Sequence, residues 1–455
     1  MGTEVGALEG QHTWDITELP PGKVAIGCKW VYKTKFNSDG TVERYKARLV
    51  ILGNQQEEGV DFKETFAPVI KMNTVRILLE ISAAKGWELH QMDVHNAFLH
   101  GDLEEEVYMK LPPGFKATGP NQVCKLAKVT LWSPTSSEML RGKSIVYVLV
   151  YVDDLVIGGS DPVLISNFKA YLNRQFHMND LGVLKYFLGN EVARSSDGIY
   201  LSQQKYALDI ITESGLLGAR PIDTPMEENH ALARDKGAFF DDPVKYRRLV
   251  GRLVYLTVTK PDLSYAVHTL AQFMQKPRLK HWHAALRVVR YLKKAPGQGI
   301  FLSANNDLAL SAYCDSDYAA CPLTRRSLTG YVVMLGDSLV SWKTKKQKVV
   351  SRSTAEAEYR AMAITLCEVK WIVELLSSLG IKQQSPVPLY CDNQAALYIA
   401  ANPVFHERTK HVEVDCHFIR DAIIDGLIVA RHVGTKNQLA DIRWDDDITY
   451  ESVLY

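Results

Sequence analysis

Missing from this 455-residue chain is any surplus of charge: 53 Lys and Arg stand against 52 Asp and Glu, a formal net charge of +1. So balanced a chain is not a basic coat for nucleic acid, and any track for a polyanion must be local. Basic clusters occur at Lys343–Lys348, at Arg278 to Lys280 and at Arg325-Arg326, although a charge run by itself usually marks a solvated face. Cysteine is sparse. Cys28, Cys124, Cys314, Cys321, Cys367, Cys391 and Cys416 form no CxxC pair and no secretory leader is read ahead of them, which leads to the expectation of free thiols in a reducing, intracellular compartment. Long apolar runs are lacking as well: the longest, from about Ile145 to Leu155, is too short to span a bilayer and contains two aspartates, so no membrane partner is expected. His406, His411, Cys416 and His417 fit none of the usual zinc-finger spacings. What remains is a chain long enough for roughly two to four domains, each able to bury a core.

Those two aspartates are the most informative residues present. Ile145 to Val152 and Leu155 to Gly159 read as two strands joined at Asp153-Asp154, which lifts both carboxylates to the tip of a β-hairpin. Adjacent buried carboxylates repel unless a cation neutralises them. An acidic turn stabilised by local hydrogen bonds is the alternative for an isolated Asp-Asp. A third carboxylate, Asp93, lies upstream in the run from Trp87 to Leu99.

Around Asp93 the motifs accumulate. Tyr45 to Val50, Glu64 to Val69, Trp87 to Leu99, Glu106 to Met109 and Pro112 to Phe115 resemble, in order, the reverse transcriptase of Ty1/copia-type LTR retrotransposons, and the resemblance runs from about Trp14 to Ile442. It implies a multidomain α+β and α/β chain, a right-hand polymerase of fingers, palm and thumb followed by a ribonuclease H-like domain. It also implies that Asp93 and Asp153, with Asp154 in support, hold two Mg²⁺ ions. One ion would activate the primer 3′ hydroxyl and the other would steady the triphosphate leaving group, ~4 Å apart. By the same resemblance Phe98 lies where a ring would block a ribose 2′ hydroxyl, and Lys46 and Arg48 match positions that meet the incoming deoxynucleoside triphosphate. An apolar core position explains Phe98 equally well, and a solvated strand face explains the two cations.

A second constellation occupies the last third. Leu308 to Asp315 alternates as a strand, Thr329 to Trp342 reads as two strands around Gly336-Asp337, and a helical pattern follows from Ala355 to Leu379. Then come a strand Val387 to Cys391, a helix from Gln394, a helix near Val412 to Ile424, a strand Ile428 to Val433 and a turn carrying Asp441. Three strands, helix, strand, helices and strand is the order of the ribonuclease H fold, and the resemblance assigns its four metal-binding carboxylates, again for two ions, to Asp315, Glu358, Asp392 and Asp441. Glu356 and Asp317 compete. Glu356 lies two positions from Glu358 and so on another side of the helix, and one of the two faces the cluster.

Between the constellations, Tyr246 to Leu302 reads as helical, like a thumb and connection, and Met226 to Asp242 reads as a linker. Expected segments are therefore 13–216 for fingers and palm, 217–302 for thumb and connection, and 305–442 for the nuclease-like domain. The departure from the family pattern lies near 127–144. After Cys124, Lys125 to Trp132 runs into Ser133-Pro134-Thr135-Ser136-Ser137, where a palm motif and helix of roughly a few dozen residues are expected. Beyond Asp441-Ile442 the pattern departs again, at Arg443 to Asp447. The expectation is an RNA-directed DNA polymerase crippled in its floor, joined to a hybrid-specific nuclease, with RNA template, DNA primer and RNA·DNA hybrid as partners and cytoplasmic particles as the location. The alternative is a non-catalytic relic that at most binds nucleic acid.

Overall fold

The computed structural model describes residues 14–36, 41–52, 71–94, 101–102, 106–115, 119, 121–126, 128–129, 137–141, 144–151, 154–176, 178–227, 230–401 and 413–441. By internal contacts the chain forms two compact units, residues 1–70 with 90–182 and residues 71–89 with 183–455.

In the first unit, β1 (Trp14–Glu18) precedes a two-stranded ribbon of β2 (Cys28–Phe36) and β3 (Val42–Ile51). The chain passes through α1 (Met72–Ala84), which belongs to the second unit, and returns along β4 (Glu88–Val94). Strands β5 (Tyr108–Lys110) and β6 (Gln122–Leu126) pair with β1 in the order β1-β6-β5. Then β7 (Ser137–Arg141), β8 (Ser144–Tyr151), β9 (Asp154–Gly159), α2 (Pro162–Phe176) and β10 (Met178–Val183) complete a five-stranded sheet of order β10-β4-β9-β8-β7. Val146, Val148, Val150, Leu155 and Ile157 pack with Met92 and with Ile165 and Leu172 of α2. Every residue from Val146 to Val150 is buried, which is why that strand reads as an unbroken apolar run and not as an alternation. The β8–β9 register runs from Val146 opposite Gly159 to Tyr151 opposite Asp154. A Cβ on Gly159 would stand 2.4 Å from the Ile145 carbonyl oxygen, so the pairing needs glycine there.

After α1, the second unit continues with β11 (Tyr186–Phe187), β12 (Asn190–Arg194) and β13 (Gly198–Ser202), then four α-helices among the described residues, α3 (Gln204–Glu213), α4 (Pro243–Leu256), α5 (Ser264–Ala271) and α6 (Leu279–Leu292). Their apolar faces share one core around Tyr246, Leu253, Leu263, Val288 and Leu292. Two expectations change here. The helical stretch does not reach Leu302: β14 (Ile300–Ser303) extends the sheet as β11-β12-β13-β14, and the backbones approach so closely that a Cβ on Gly299 would meet the Leu201 oxygen at 1.9 Å. Nor is Met226 to Asp242 a free linker. Met226 and Leu232 are buried in the helical core, the Leu232 carbonyl is 3.0 Å from His281 Nε2, and Phe240 stacks on Trp282 with centroids 4.7 Å apart.

The last sheet is built from β15 (Leu310–Asp317), β16 (Leu328–Leu335), β17 (Ser338–Lys346), β18 (Val387–Cys391) and β19 (Ile428–His432), with α7 (Thr354–Ser378) between β17 and β18, and α8 (Gln394–Ala401) and α9 (Glu413–Ile424) between β18 and β19. Its order is β17-β16-β15-β18-β19, antiparallel through β15 and parallel beyond it. Ser353 caps α7, its side chain accepting from the Glu356 amide at 3.2 Å, and Gly380 in the left-handed region (φ +74°) ends it.

Helix α1 ties residues 71–89 to the second unit. It packs against β13, β14 and β17. Arg76, 5% exposed, lays its guanidinium 3.8 Å over the Trp342 ring and donates from Nη1 to the Val340 carbonyl at 2.7 Å. Asn73 Nδ2 donates to Ser341 Oγ (2.8 Å) and Glu368 Oε1 (2.6 Å), and Asn306 Nδ2 donates to Glu80 Oε1 at 2.5 Å. Burial pushes the Glu80 carboxyl up to about 8. No described helix is long and apolar enough to cross a membrane.

Candidate active site

Two carboxylate groups are assembled, one in each unit. In the first, Asp93 lies on β4 and Asp154 opens β9, its sheet neighbour. Gln91, two residues before Asp93 and on the same face of β4, donates from Nε2 to Asp154 Oδ1 at 3.3 Å. Burial raises the Asp154 carboxyl above its ordinary value; the Gln91 hydrogen bond opposes this and the negative charge of Asp93 adds to it. Asp153 lies outside the described residues, as do Phe98, His406 and His411. Lys46 and Arg48 fall on β3 opposite Lys33 and Val31.

The second group forms where β15, β18 and α7 meet. Asp315 is on β15, Asp392 directly follows β18, Glu358 is on the first turns of α7, and Asp441 follows the single helical turn Thr435–Asn437. Glu358 is buried and its Oε1 accepts from the Ser316 amide at 3.0 Å. Glu356, on another side of the helix, is turned away: it accepts from the Arg352 amide (2.8 Å) and pairs with Arg360 at 3.1 Å. Asp392 Oδ2 accepts from Thr435 Oγ1 at 3.3 Å. Burial is the first cause that lifts Asp315 to about 7, followed by the charges of Asp441 and Asp392. Burial again comes first in pushing Glu358 to about 10, followed by Asp315, Cys391 and Asp392. The charges of Asp392, Asp441 and Asp317, the last lying two positions along β15, thus act on Asp315, and those of Asp315 and Asp392 act on Glu358.

Repelling carboxylates held together out of water are a fit for divalent cations, because a cation removes the repulsion that burial amplifies. All four supply hard oxygen, as Mg²⁺ prefers. The linkage has a definite sign. A carboxyl whose folded value is raised contributes stability that is complete below its unfolded value, about 4 to 4.5, and is lost as pH climbs through the folded value. For Asp315 (about 7), Glu80 (about 8) and Glu358 (about 10), the metal-free chain should therefore lose thermal stability steadily from pH 5 to pH 9. Added Mn²⁺ or Mg²⁺ should restore more of it at pH 8 than at pH 5, since metal and proton compete for the same oxygens. Melting curves with and without metal across this range check both statements, and a metal-free midpoint that rises with pH would contradict the arrangement.

Two residues here are not anticipated from sequence. The Cys391 thiol joins Glu358 and Asp392 in a trio whose ligand atoms lie within 4.8 Å of one another; its only sequence signal is its place directly before Asp392. Gln438, 1% exposed, donates from Nε2 to the Cys314 carbonyl at 2.9 Å and accepts from the Ala440 amide at 3.2 Å. It thereby ties the segment bearing Asp441 to β15, and a glutamine three residues before an aspartate carries no such message by itself.

With the geometry in place, the likeness to known proteins can be stated. The reverse transcriptase (RNA-dependent DNA polymerase) family profile matches residues 11–132 and 137–228, its break falling inside the stretch where the sequence departs from pattern. The chain is 45% identical over 469 residues to the "Retrovirus-related Pol polyprotein from transposon RE1" of Arabidopsis thaliana, covering 97% of this chain and 32% of that protein. It is 35% identical over 481 residues to the corresponding polyprotein from transposon TNT 1-94 of Nicotiana tabacum, covering 97% and 36%. A transposon Ty5-1 protein of Saccharomyces cerevisiae is 31% identical over 308 residues, covering 61% of this chain and 100% of that one. The chain thus spans about a third of the length of the two plant polyproteins.

Proposed function

This chain belongs to the Pol polyproteins of Ty1/copia-type LTR retrotransposons, and from that premise we propose that its C-terminal part cleaves the RNA strand of an RNA·DNA hybrid while its polymerase part is impaired. The observation that carries the first half is the meeting of Asp315, Glu358, Asp392 and Asp441, from four separate elements, at one edge of the β17-β16-β15-β18-β19 sheet. Single acids cap strands and helices everywhere; four whose negative charges converge on the buried Asp315 and Glu358 need a common ligand. Two Mg²⁺ ions bound there would supply charge neutralisation and an activated water for phosphodiester hydrolysis. The chain's own residues do the rest: Ser316 N and Thr435 Oγ1 orient Glu358 and Asp392, Gln438 holds the Asp441 segment, and the exposed Lys343 and Lys345 of β17 offer cations to the hybrid backbone.

Asp93, Asp153 and Asp154 are the polymerase group in this proposal, with RNA template, DNA primer and deoxynucleoside triphosphates as partners and Lys46, Arg48 and Phe98 at the nucleotide. Its impairment is supported by the interruption of the family match at 133–136, since a palm segment missing there would pack beneath the sheet that carries Asp93 and Asp154. The site of action in this proposal is intracellular, in cytoplasmic particles. Cleavage of a labelled RNA·DNA hybrid and primer extension on RNA, both in Mg²⁺ with the purified chain, test the two halves together. Cleavage without extension is the expected outcome. Extension would overturn the impairment, and absence of both activities would favour a relic that only binds nucleic acid.

A further inference from the structure

Behind the nuclease-like carboxylates lies a pair of thiols that the proposed hydrolysis does not use. Strands β15 and β18 run parallel with Ala312 opposite Leu389 and Tyr313 opposite Tyr390. One step further along the same register stand Cys314 and Cys391, both 0% exposed. Each immediately precedes a carboxylate of the cluster, Asp315 or Asp392. The Cys314 thiol donates to the Tyr390 carbonyl at 3.4 Å, and Cys391 Sγ is 3.8 Å from Glu358 Oε2. Facing residues on neighbouring strands are about 4.8 Å apart, inside the Cα separation of roughly 4.4 to 6.8 Å that a disulfide spans.

We propose that Cys314 and Cys391 are an oxidisable pair, and that closing a disulfide between them weakens divalent-metal binding at the adjacent carboxylates. With a peroxide as oxidant the balance is complete. The Cys391 sulfur attacks one peroxide oxygen, giving a sulfenic acid and one water; the Cys314 sulfur then displaces the sulfenic oxygen as the second water, forming the S–S bond. Two thiols lose two electrons and two protons, and a dithiol reverses the step by exchange. Cys391 reacts first because it is the last residue of β18, whereas Cys314 lies within β15. The bond withdraws the thiol from Glu358 and draws together the two strands that aim Asp315 and Asp392. Displacements of about 1 Å at such a site are enough to cost it on the order of 100-fold in function.

The inference rests on the hydrolytic proposal only for its purpose, so its test reads metal binding and not cleavage. The full chain is treated with hydrogen peroxide, free thiols are blocked, and peptide mass analysis locates any pair that has lost two hydrogens. Calorimetry then measures Mn²⁺ affinity before oxidation, after it, and after dithiothreitol. The expected result is a Cys314–Cys391 bond, Mn²⁺ affinity lowered at least tenfold, and recovery on reduction. Cys314→Ser should abolish the bond and the reversible loss while keeping the reduced chain's affinity within a few-fold. A different pairing, no pairing, or a bond that leaves Mn²⁺ affinity unchanged would overturn the proposal. Absence of hybrid cleavage by the reduced chain would instead count against the hydrolytic function alone.

Discussion

Asp392→Asn is expected to leave the chain folded and to lower RNA·DNA hybrid cleavage by on the order of 10³-fold, as removal of one preorganised electrostatic group at a reacting centre does. The side chain has the right place for this. It follows the last residue of β18, half-buried, where its Oδ2 accepts from Thr435 Oγ1 at 3.3 Å while its backbone carbonyl lies 3.2 Å from His432 Nε2. Asparagine keeps the volume and an acceptor oxygen for Thr435, so neither contact must break. What disappears is a negative charge, and with it part of the attraction for a dication. The metal-free variant should melt no earlier than the parent, because one member of a mutually repelling group has been neutralised. Glu356→Gln is the matched comparison: it removes a charge from the same helix as Glu358, but one committed to Arg360 and to the Arg352 amide. Cleavage rates and melting midpoints for the two variants, side by side, distinguish loss of a ligand from loss of charge in general. Unchanged cleavage by Asp392→Asn would sink the assignment.

Arg76→Ala should lower stability by about 2–4 kcal/mol, in the range of large-to-small substitutions that open a cavity and strand a buried acceptor. Arg76 is almost fully enclosed, its guanidinium stacks on Trp342, and its Nη1 satisfies the Val340 carbonyl at the edge of β17. Alanine would forfeit the cation–π contact, the hydrogen bond and the volume at once. Because α1 packs on β13, β14 and β17, the loss should register in the unit that includes the nuclease-like sheet, as a lower denaturant midpoint and faster amide exchange along β17. A variant that melts like the parent would show that α1 does not brace this sheet.

Much of this was legible in the chain because the local signals are strong. The hairpin of β8 and β9 announces itself as an apolar run with a polar interruption, and the strands and helices from Leu310 to His432 each carry their own periodicity and punctuation. Their order follows without any knowledge of contacts. Partners are another matter. The apolar face of α1 says that it must be covered and cannot say by which surface, so its membership of the C-terminal unit is invisible in sequence. Ile300-Phe301-Leu302-Ser303 is too short for its period to decide between helix and strand, and the Leu201 backbone alongside makes it a strand. Met226 and Leu232 are two anchors in a polar stretch, which composition alone reads as loop. The choice between Glu356 and Glu358 turns on Arg360 and Ser316, residues that sequence spacing does not rank.

The bracing of the last sheet by α1 also imposes an order on time. Arg76 and the Val340 carbonyl it satisfies are 264 residues apart. At a synthesis rate of about 5–20 residues per second, α1 waits roughly 15 to 50 s for β17 to emerge. Throughout that wait, Ile77, Leu78 and Ile81, all buried in the finished protein, have no final resting place. A nascent chain in this condition is a client for any holdase that recognises apolar helices, and the nuclease-like sheet is completed by a helix synthesised well before it.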